Sequence, residues 1–232
     1  MVASGKRFYS ISFTLRSGST LLCQDLSAAR LGDPGEYFQF PVSPILGGTL
    51  AEHLAQMAEQ WDTGFIGIKL NWYQMTEVIT RLQAEGYAES VGFDLRDVFP
   101  NFHYLHILRK DKVGQAVSAW RAHESGTWHV TAGSGDDPGR PPYDFAAIKT
   151  MLERIVLEER LWHDFFERLG VSPLTIVYEE YVTDRAGHLD RIADYLGVPR
   201  PTVPLSDRLQ VMRDDWSDEI IGRFDSDLRR PH

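Results

Sequence analysis

Residues 8–29 read FYSISFTLRSGSTLLCQDLSAA, and this stretch decides the fold. In FYSISFT (8–14), Tyr9, Ile11 and Phe13 share one face at a period of two, which predicts a β-strand. From Thr20 to Ala29, Leu22, Leu26 and Ala29 stand at i, i+4 and i+7, the spacing of a helix. A strand, a small-residue loop and a helix start in succession suit an anion. The first N–H groups of a helix have no internal partner, and the helix dipole adds partial positive charge there. Gly18 admits positive φ and close approach of a ligand to the backbone. Ser17, Ser19 and Thr20 add hydroxyl donors, and Arg16 adds a permanent, planar cation. The same pattern also describes a capped helix after a tight turn, with no ligand. It is not the G-x-x-x-x-G-K-[ST] loop of ATP and GTP enzymes, because no Lys precedes Ser19 or Thr20.

Outward from this stretch, strand and helix patterns alternate. Leu50, Leu54, Met57 and Trp61 predict a helix over 50–61, FIGIKL (65–70) a short buried strand, and Met75, Val78, Ile79 and Leu82 a helix over 75–85. YLHILR (104–109) is a further strand, followed by a helix through Val113, Val117 and Trp120. The Gly- and Pro-rich residues 126–143 predict a loop. A long helix follows with Ile148, Leu152, Ile155, Trp162, Phe166 and Leu169 on one stripe. LTIVYEE (174–180) reads as a strand, Leu189 to Leu196 as a helix ending at Gly197, and the tail as irregular with a helix near 215–228. The alternation predicts an α/β fold: a mostly parallel sheet flanked by helices, with ligands beyond the carboxyl ends of the strands. No linker, repeat or low-complexity tract divides the chain, so one domain over 1–232 is expected.

Composition narrows the function classes. The 24 Lys and Arg against 33 Asp and Glu give a net charge of -9, which argues against a nucleic-acid binder. It leaves room for a small anionic ligand, since local cations outvote a screened global charge. Cys23 is the only cysteine, so no intrachain disulfide is expected. No apolar run nears the ~20 residues of a membrane span, and Met1–Arg7 leads straight into the first strand with no signal-peptide pattern. A cytoplasmic protein is therefore expected. The eight His show no metal-ligand spacing, and no metal is expected.

A second anion position follows from Arg109 and Ser118. Arg109 ends a strand, and Ser118 stands nine residues on, about two turns along the next helix. Together they form a grip for a second phosphate; alternatively Arg109 caps a strand end and Ser118 faces a neighbouring helix. At this point the chain resembles a known family. TLRSGSTLL, LRKDKVGQAVSAWRA and IVYEEYVTD…LDRIADYLGV, in this order, resemble the sulfotransferases that use 3'-phosphoadenosine 5'-phosphosulfate (PAPS). The likeness goes furthest toward the bacterial trehalose sulfotransferase type. RSGSTLL (16–22), GDPGEYFQ (32–39), GIKLNW (67–72) and QAVSAWRA (115–122) match its form RSGSTLL…GxPxEFFQ…GGKLxW…QAVSxWRA.

The resemblance implies a P-loop-like sulfotransferase fold and assigns roles. Arg16, Ser17, Gly18, Ser19, Thr20 and Leu21 would cradle the 5'-phosphosulfate of PAPS, and Arg109 and Ser118 its 3'-phosphate. Glu36 would be the general base. Its aromatic neighbours Tyr37, Phe38 and Phe40 are expected to desolvate the carboxylate and raise its pKa, whereas local sequence alone also describes an exposed loop Glu. Lys69 ends the apolar run FIGIK, where an ammonium is costly unless an anion meets it. Many animal-type relatives have Lys-Thr-His here. This chain has Lys69-Leu70-Asn71, which supports a base elsewhere. Lys69 and Arg16 are assigned to charge neutralisation, the plainer alternative for Lys69 being an ion pair with a carboxylate.

The tail Asp207–Trp216 resembles the segment that covers the donor in such enzymes. Arg208 and Arg213 would reach the 3'-phosphate and Trp216 would cover the site; a mixed-charge surface helix is the alternative. Phe40, Asn71, Trp72, Trp120 and His123, with Trp128, are candidate acceptor contacts, though the aromatic ones also suit a core. The acceptor expected is a hydroxyl-bearing carbohydrate or small alcohol, its pocket shaped by residues 41–64 and 124–145. Relatives of this type can be homodimers. Two rival functions remain: a P-loop-type kinase and a non-catalytic nucleotide-binding relative.

Overall fold

Burial explains the central strand. In the computed structural model, which describes residues 7–38, 49, 52–53, 64–86, 94–99, 101–130, 137–202 and 213–230, β1 (Arg7–Phe13) is buried at every position after Arg7. It therefore needs neighbours on both edges and cover on both faces. β2 (Phe65–Leu70) pairs with one edge, with Tyr9 opposite Gly67; β3 (Phe102–Leu108) pairs with the other, with Tyr9 opposite His103. β4 (Leu174–Val177) adds to β3, giving, among the described residues, a four-stranded, all-parallel sheet in the order β2-β1-β3-β4.

Alternation along β1 divides the core. Tyr9, Ile11 and Phe13 face one side, where they meet Leu22 and Leu26 of α1 (Ser19–Ala28) and Leu189, Ile192 and Leu196 of α7 (Arg185–Leu196). Phe8, with Ile66, Ile68 and Leu70 of β2, faces the other. There it meets Met75, Val78 and Leu82 of α2 (Trp72–Ala84) and Trp162, Phe165 and Phe166 of α5 (Phe145–Leu169). A third apolar cluster joins α4 (Lys112–Ser125) to α5 and to α8 (Asp215–Leu228) through Val117, Trp120, Ile155 and Phe224. The short α3 (Leu95–Val98) precedes β3. His106 of β3 lies inside the sheet–helix layer against Phe166; burial pushes its pKa down to about 4, so it is a neutral core residue.

The expected mostly parallel sheet is present. FIGIKL is strand from end to end, and the tail helix covers 215–228 as expected. Three boundaries move. α2 starts at Trp72 rather than 75, because Asn71 and Gln74 form a reciprocal capping box that fixes its first turn. β3 starts at Phe102 and ends at Leu108, leaving Arg109 just past the strand. LTIVYEE is strand only to Val177, where pairing with β3 ends, and turns into a one-turn helix, α6 (Tyr178–Tyr181). The helix expected over 50–61 falls mostly outside the described residues, as do the middle of the 126–143 loop and residues 203–212. Among the described residues no helix is long and apolar enough to cross a membrane.

The strand order places the site. The chain leaves β1 for β2 on one edge, then returns across the sheet to β3 on the other. The loops after β1 and β3 therefore part above neighbouring strands, which opens a crevice at their carboxyl ends.

Candidate active site

The loop after β1 turns sharply. Arg16 has φ 60 and Gly18 φ 90, both left-handed, a conformation costly for Arg. Gly18 is the N-cap of α1, and among the described residues no side chain caps that helix start. Tyr178, at the start of α6, packs its ring where a Gly18 side chain would stand. Glycine is thus required twice over, by φ and by contact. Gly18→Ala is expected to destabilise the protein by about 1–3 kcal/mol and to distort the loop. Thermal melting and donor-analogue binding check this; a variant unchanged in both would show that the loop tolerates a side chain.

Two guanidinium groups converge on this loop. Arg16 Nε donates to Ser118 Oγ of α4 at 2.9 Å, and Arg109 Nη1 donates to the Arg16 carbonyl at 3.4 Å. Arg16 also donates to the Trp128 carbonyl. Burial first, and then the neighbouring Arg109 charge, push the Arg16 pKa down to about 10. Arg109 lies over the Tyr178 ring at 5.4 Å, and its Nε is buried with no hydrogen-bond partner among the described residues. Asp111 organises the rim. It caps α4 through the Gly114 N–H at 2.8 Å and sits 3.6 Å from Arg109 and 3.0 Å from Arg213. Glu179 accepts the N–H groups of Lys110 and Asp111 at 3.0 Å each. Burial would raise the Glu179 carboxyl, but these donors hold it below the ordinary value.

Glu36 reaches the same crevice by a different route. Gly35 forms an isolated parallel bridge with Ile68, and the Lys69 N–H donates to the Gly35 carbonyl at 2.9 Å. This lays residues 35–36 along β2 and brings Glu36 to the Lys69 side chain. Lys69 Nζ meets Glu36 Oε1 at 2.8 Å and Thr20 Oγ1 at 3.2 Å, and lies 4.4 Å from the centre of the Phe13 ring. Gln74 Nε2 donates to the other Glu36 oxygen at 3.0 Å. Lys69 is thus both paired with a carboxylate and part of the site, so its two alternative readings describe one contact. Glu36 accepts from two donors, Lys69 and Gln74, a setting that its aromatic neighbours in sequence did not signal. Both of its carboxyl oxygens thus face donors inside the crevice.

These groups line one cavity of about 900 Å³. Arg16, Lys69, Arg109, Arg121, Arg154 and Arg213 set its charge against Glu36, Asp111 and Glu179, so a local excess of cations stands in a protein of net charge -9. A space of this size suits a nucleotide-sized ligand.

The candidate residues divide between cavity and core. Arg16, Gly18, Ser19, Thr20, Leu21, Glu36, Lys69, Asn71, Arg109, Ser118 and Arg213 all line the cavity. Ser17 is fully buried and not part of the wall, and its hydroxyl has no partner among the described residues. Asn71 spends its side chain on the α2 cap. Trp72 packs edge-on against Trp162 and Phe165. Trp120 is buried and stacks on Trp216 at 5.9 Å, so both serve the α4–α8 junction. His123 is exposed beside Glu124 and not part of the wall, because its place on α4 turns it outward. Trp128, His129 and Val130 take that side of the cavity instead. Phe40 and Arg208 lie outside the described residues.

Several lining residues were not singled out from sequence. Gln74 was readable from the N-x-x-Q capping pattern, and Tyr178 from its place at the carboxyl end of a strand. Arg121 carried no such signal. It is buried, pairs with Asp214 at 3.0 Å and lies over Trp216 at 4.5 Å, tying the start of α8 to the cavity wall. Among the described residues, one group has metal-ligand spacing: His163, Asp164 and Glu167, all exposed on α5 and apart from the cavity.

Comparison with known proteins adds identity to this geometry. Residues 49–227 match the family model described as Stf0 sulphotransferase. Two curated relatives are each 26% identical over 264 aligned positions: the trehalose 2-sulfotransferases of Mycobacterium tuberculosis and Mycolicibacterium smegmatis. The alignments cover 97% and 96% of this chain, respectively, and 96% of each relative. The crystal structure of a sulfotransferase from Alicyclobacillus acidocaldarius superposes with a TM-score of 0.51 at 17% identity, over 97% of this chain and 94% of that one, and so shares the fold. The match over most of the chain decides against the kinase and the non-catalytic alternatives: the protein belongs to the Stf0 sulphotransferase family and is a sulfotransferase close to the trehalose sulfotransferase type.

Proposed function

We propose that this enzyme transfers a sulfonate group from PAPS to a hydroxyl of a carbohydrate or small alcohol, within one domain, with Glu36 as the general base. The observation that carries the reading is the pairing of Glu36 with Lys69 at 2.8 Å, directly beside Thr20 of the α1 start. A proton acceptor and a cation then stand together where an acceptor and a donor phosphate would meet.

The residues fit the donor. Buried Arg109 Nε, without a partner among the described residues and next to Arg16 and Ser118, suits a phosphate that marks PAPS at its 3' position. The amides of residues 18–21 suit the 5' end. PAPS supplies an activated sulfonate on a phosphate leaving group. Glu36 takes the proton of the acceptor hydroxyl as the oxygen forms its bond to sulfur. Lys69 and Arg16 stabilise the negative charge left on the phosphate oxygen when its bond to sulfur breaks. Gln74, itself locked by the α2 capping box, holds the Glu36 carboxylate in one orientation. Fixed charges and positioning supply most of the acceleration in group transfers of this type. Arg213 and Arg121 frame the donor end, and Trp128 with His129 the acceptor end. The two mycobacterial relatives are named for trehalose, which supports a carbohydrate acceptor.

Isothermal calorimetry tests the donor assignment. The protein is expected to bind 3'-phosphoadenosine 5'-phosphate (PAP) at least tenfold more tightly than ATP, a difference of about 1.4 kcal/mol or more. Equal or tighter binding of ATP would remove the basis for PAPS.

A further inference from the structure

The wall beside Glu36 carries a cation that the transfer chemistry does not use. Arg154 of α5 lines the cavity together with Tyr73 of α2, the residue next to Gln74. Its guanidinium lies over the Tyr73 ring, 5.0 Å from the ring centre, and its Nε donates to Glu158 Oε1 at 2.7 Å. An i,i+4 pair of this kind is ordinary on an exposed helix face. Here, however, Glu158 is only 3% exposed, and its second oxygen is buried with no hydrogen-bond partner among the described residues. Burial raises the Glu158 pKa, and Arg154 opposes that rise. A buried carboxylate with a single partner is costly, so this pair is a poor stabiliser by itself. What it accomplishes is orientation. Glu158 from below and Tyr73 from the side fix the guanidinium, and its two terminal amino groups make no hydrogen bond among the described residues. Tyr73 is 60% exposed and offers an aromatic face beside them.

A fixed guanidinium edge is matched by two oxygens of a carboxylate or phosphate, and an exposed aromatic face by a sugar ring. We propose that the acceptor carries an anionic group, and that Arg154 and Tyr73 form its binding subsite, with Glu158 as the residue that positions Arg154. This rests on the reading that the Glu36–Lys69 end of the cavity receives the acceptor.

The test uses two acceptor pairs with PAPS as donor: methyl glucoside against methyl glucuronide, and glucose against glucose 6-phosphate. The quantity read is the ratio of kcat/KM for the anionic member to that for the neutral one. The wild type is expected to favour the anionic member of at least one pair, and the pair that responds tells carboxylate from phosphate. In the Arg154→Gln, Glu158→Gln double variant the ratio is expected to fall about tenfold or more. The second substitution avoids leaving an unpaired buried carboxylate, and a melting curve checks that the variant is folded. A wild type that prefers the neutral member of both pairs overturns the proposal, as does one that transfers to neither anionic member. So does a double variant whose ratio is unchanged. PAP binding measured on the same preparations separates the causes. Its absence counts against the PAPS reading and this proposal together, whereas intact PAP binding with neutral preference counts against the anionic acceptor alone.

Discussion

Glu36→Gln is expected to lower turnover by roughly two to four orders of magnitude while PAP binds as in the wild type. The substitution keeps the size of the side chain and an oxygen for Lys69, which stands 2.8 Å from Glu36 Oε1. It removes the negative charge, and with it the ability to take the acceptor proton. Single-turnover measurement of product, with calorimetry for PAP, separates the chemical step from binding. A rate within a few-fold of wild type would exclude Glu36 as the base. Weakened PAP binding in the variant would instead mean that the Glu36–Lys69 pair shapes the donor end.

Arg109→Ala is expected to weaken PAP by about ten- to a hundredfold and to leave the 3'-dephospho analogue much less affected. The geometry behind this is the buried Arg109 Nε, without a partner among the described residues, beside the Arg16 and Ser118 pair. One charge-assisted contact to a partly buried phosphate is worth roughly 1.5–3 kcal/mol, which sets the size of the effect. Equal losses for both ligands would show that Arg109 acts through the loop, whose Arg16 carbonyl it contacts at 3.4 Å, and not on a 3'-phosphate.

Much of the fold was legible because its signals are local. FIGIKL is apolar at nearly every position and is buried throughout, as a parallel strand covered on both faces must be, with Ile66 and Ile68 in one apolar cluster and Phe65 in the other. The helix at 215–228 was visible from its pattern as well. What sequence could not supply was the effect of partners. LTIVYEE has strand character to its end, but β3 offers pairing only to Val177, and Tyr178 turns toward Gly18. The site divides in the same way. Arg16, Glu36, Lys69, Arg109 and Ser118 stood out by motif and by resemblance, and all five line one cavity. Trp120 and His123 sit on the same helix near Ser118, yet one is buried against Trp216 and the other is exposed. A helix carries successive residues to different faces, and only packing decides which face meets the ligand. Arg154 was hidden for the opposite reason. It looks like an ordinary helix residue until the buried Glu158 and the Tyr73 ring are placed beside it.

The reading as a whole turns on sulfonate transfer from PAPS. The most direct measurement is mass spectrometry of a panel of carbohydrates and small alcohols incubated with the purified protein and PAPS. The expected result is an acceptor heavier by one sulfonate group, formed together with PAP and lost in Glu36→Gln. A protein that binds PAP yet sulfonates no hydroxyl in the panel, or a product formed equally well by Glu36→Gln, would contradict it.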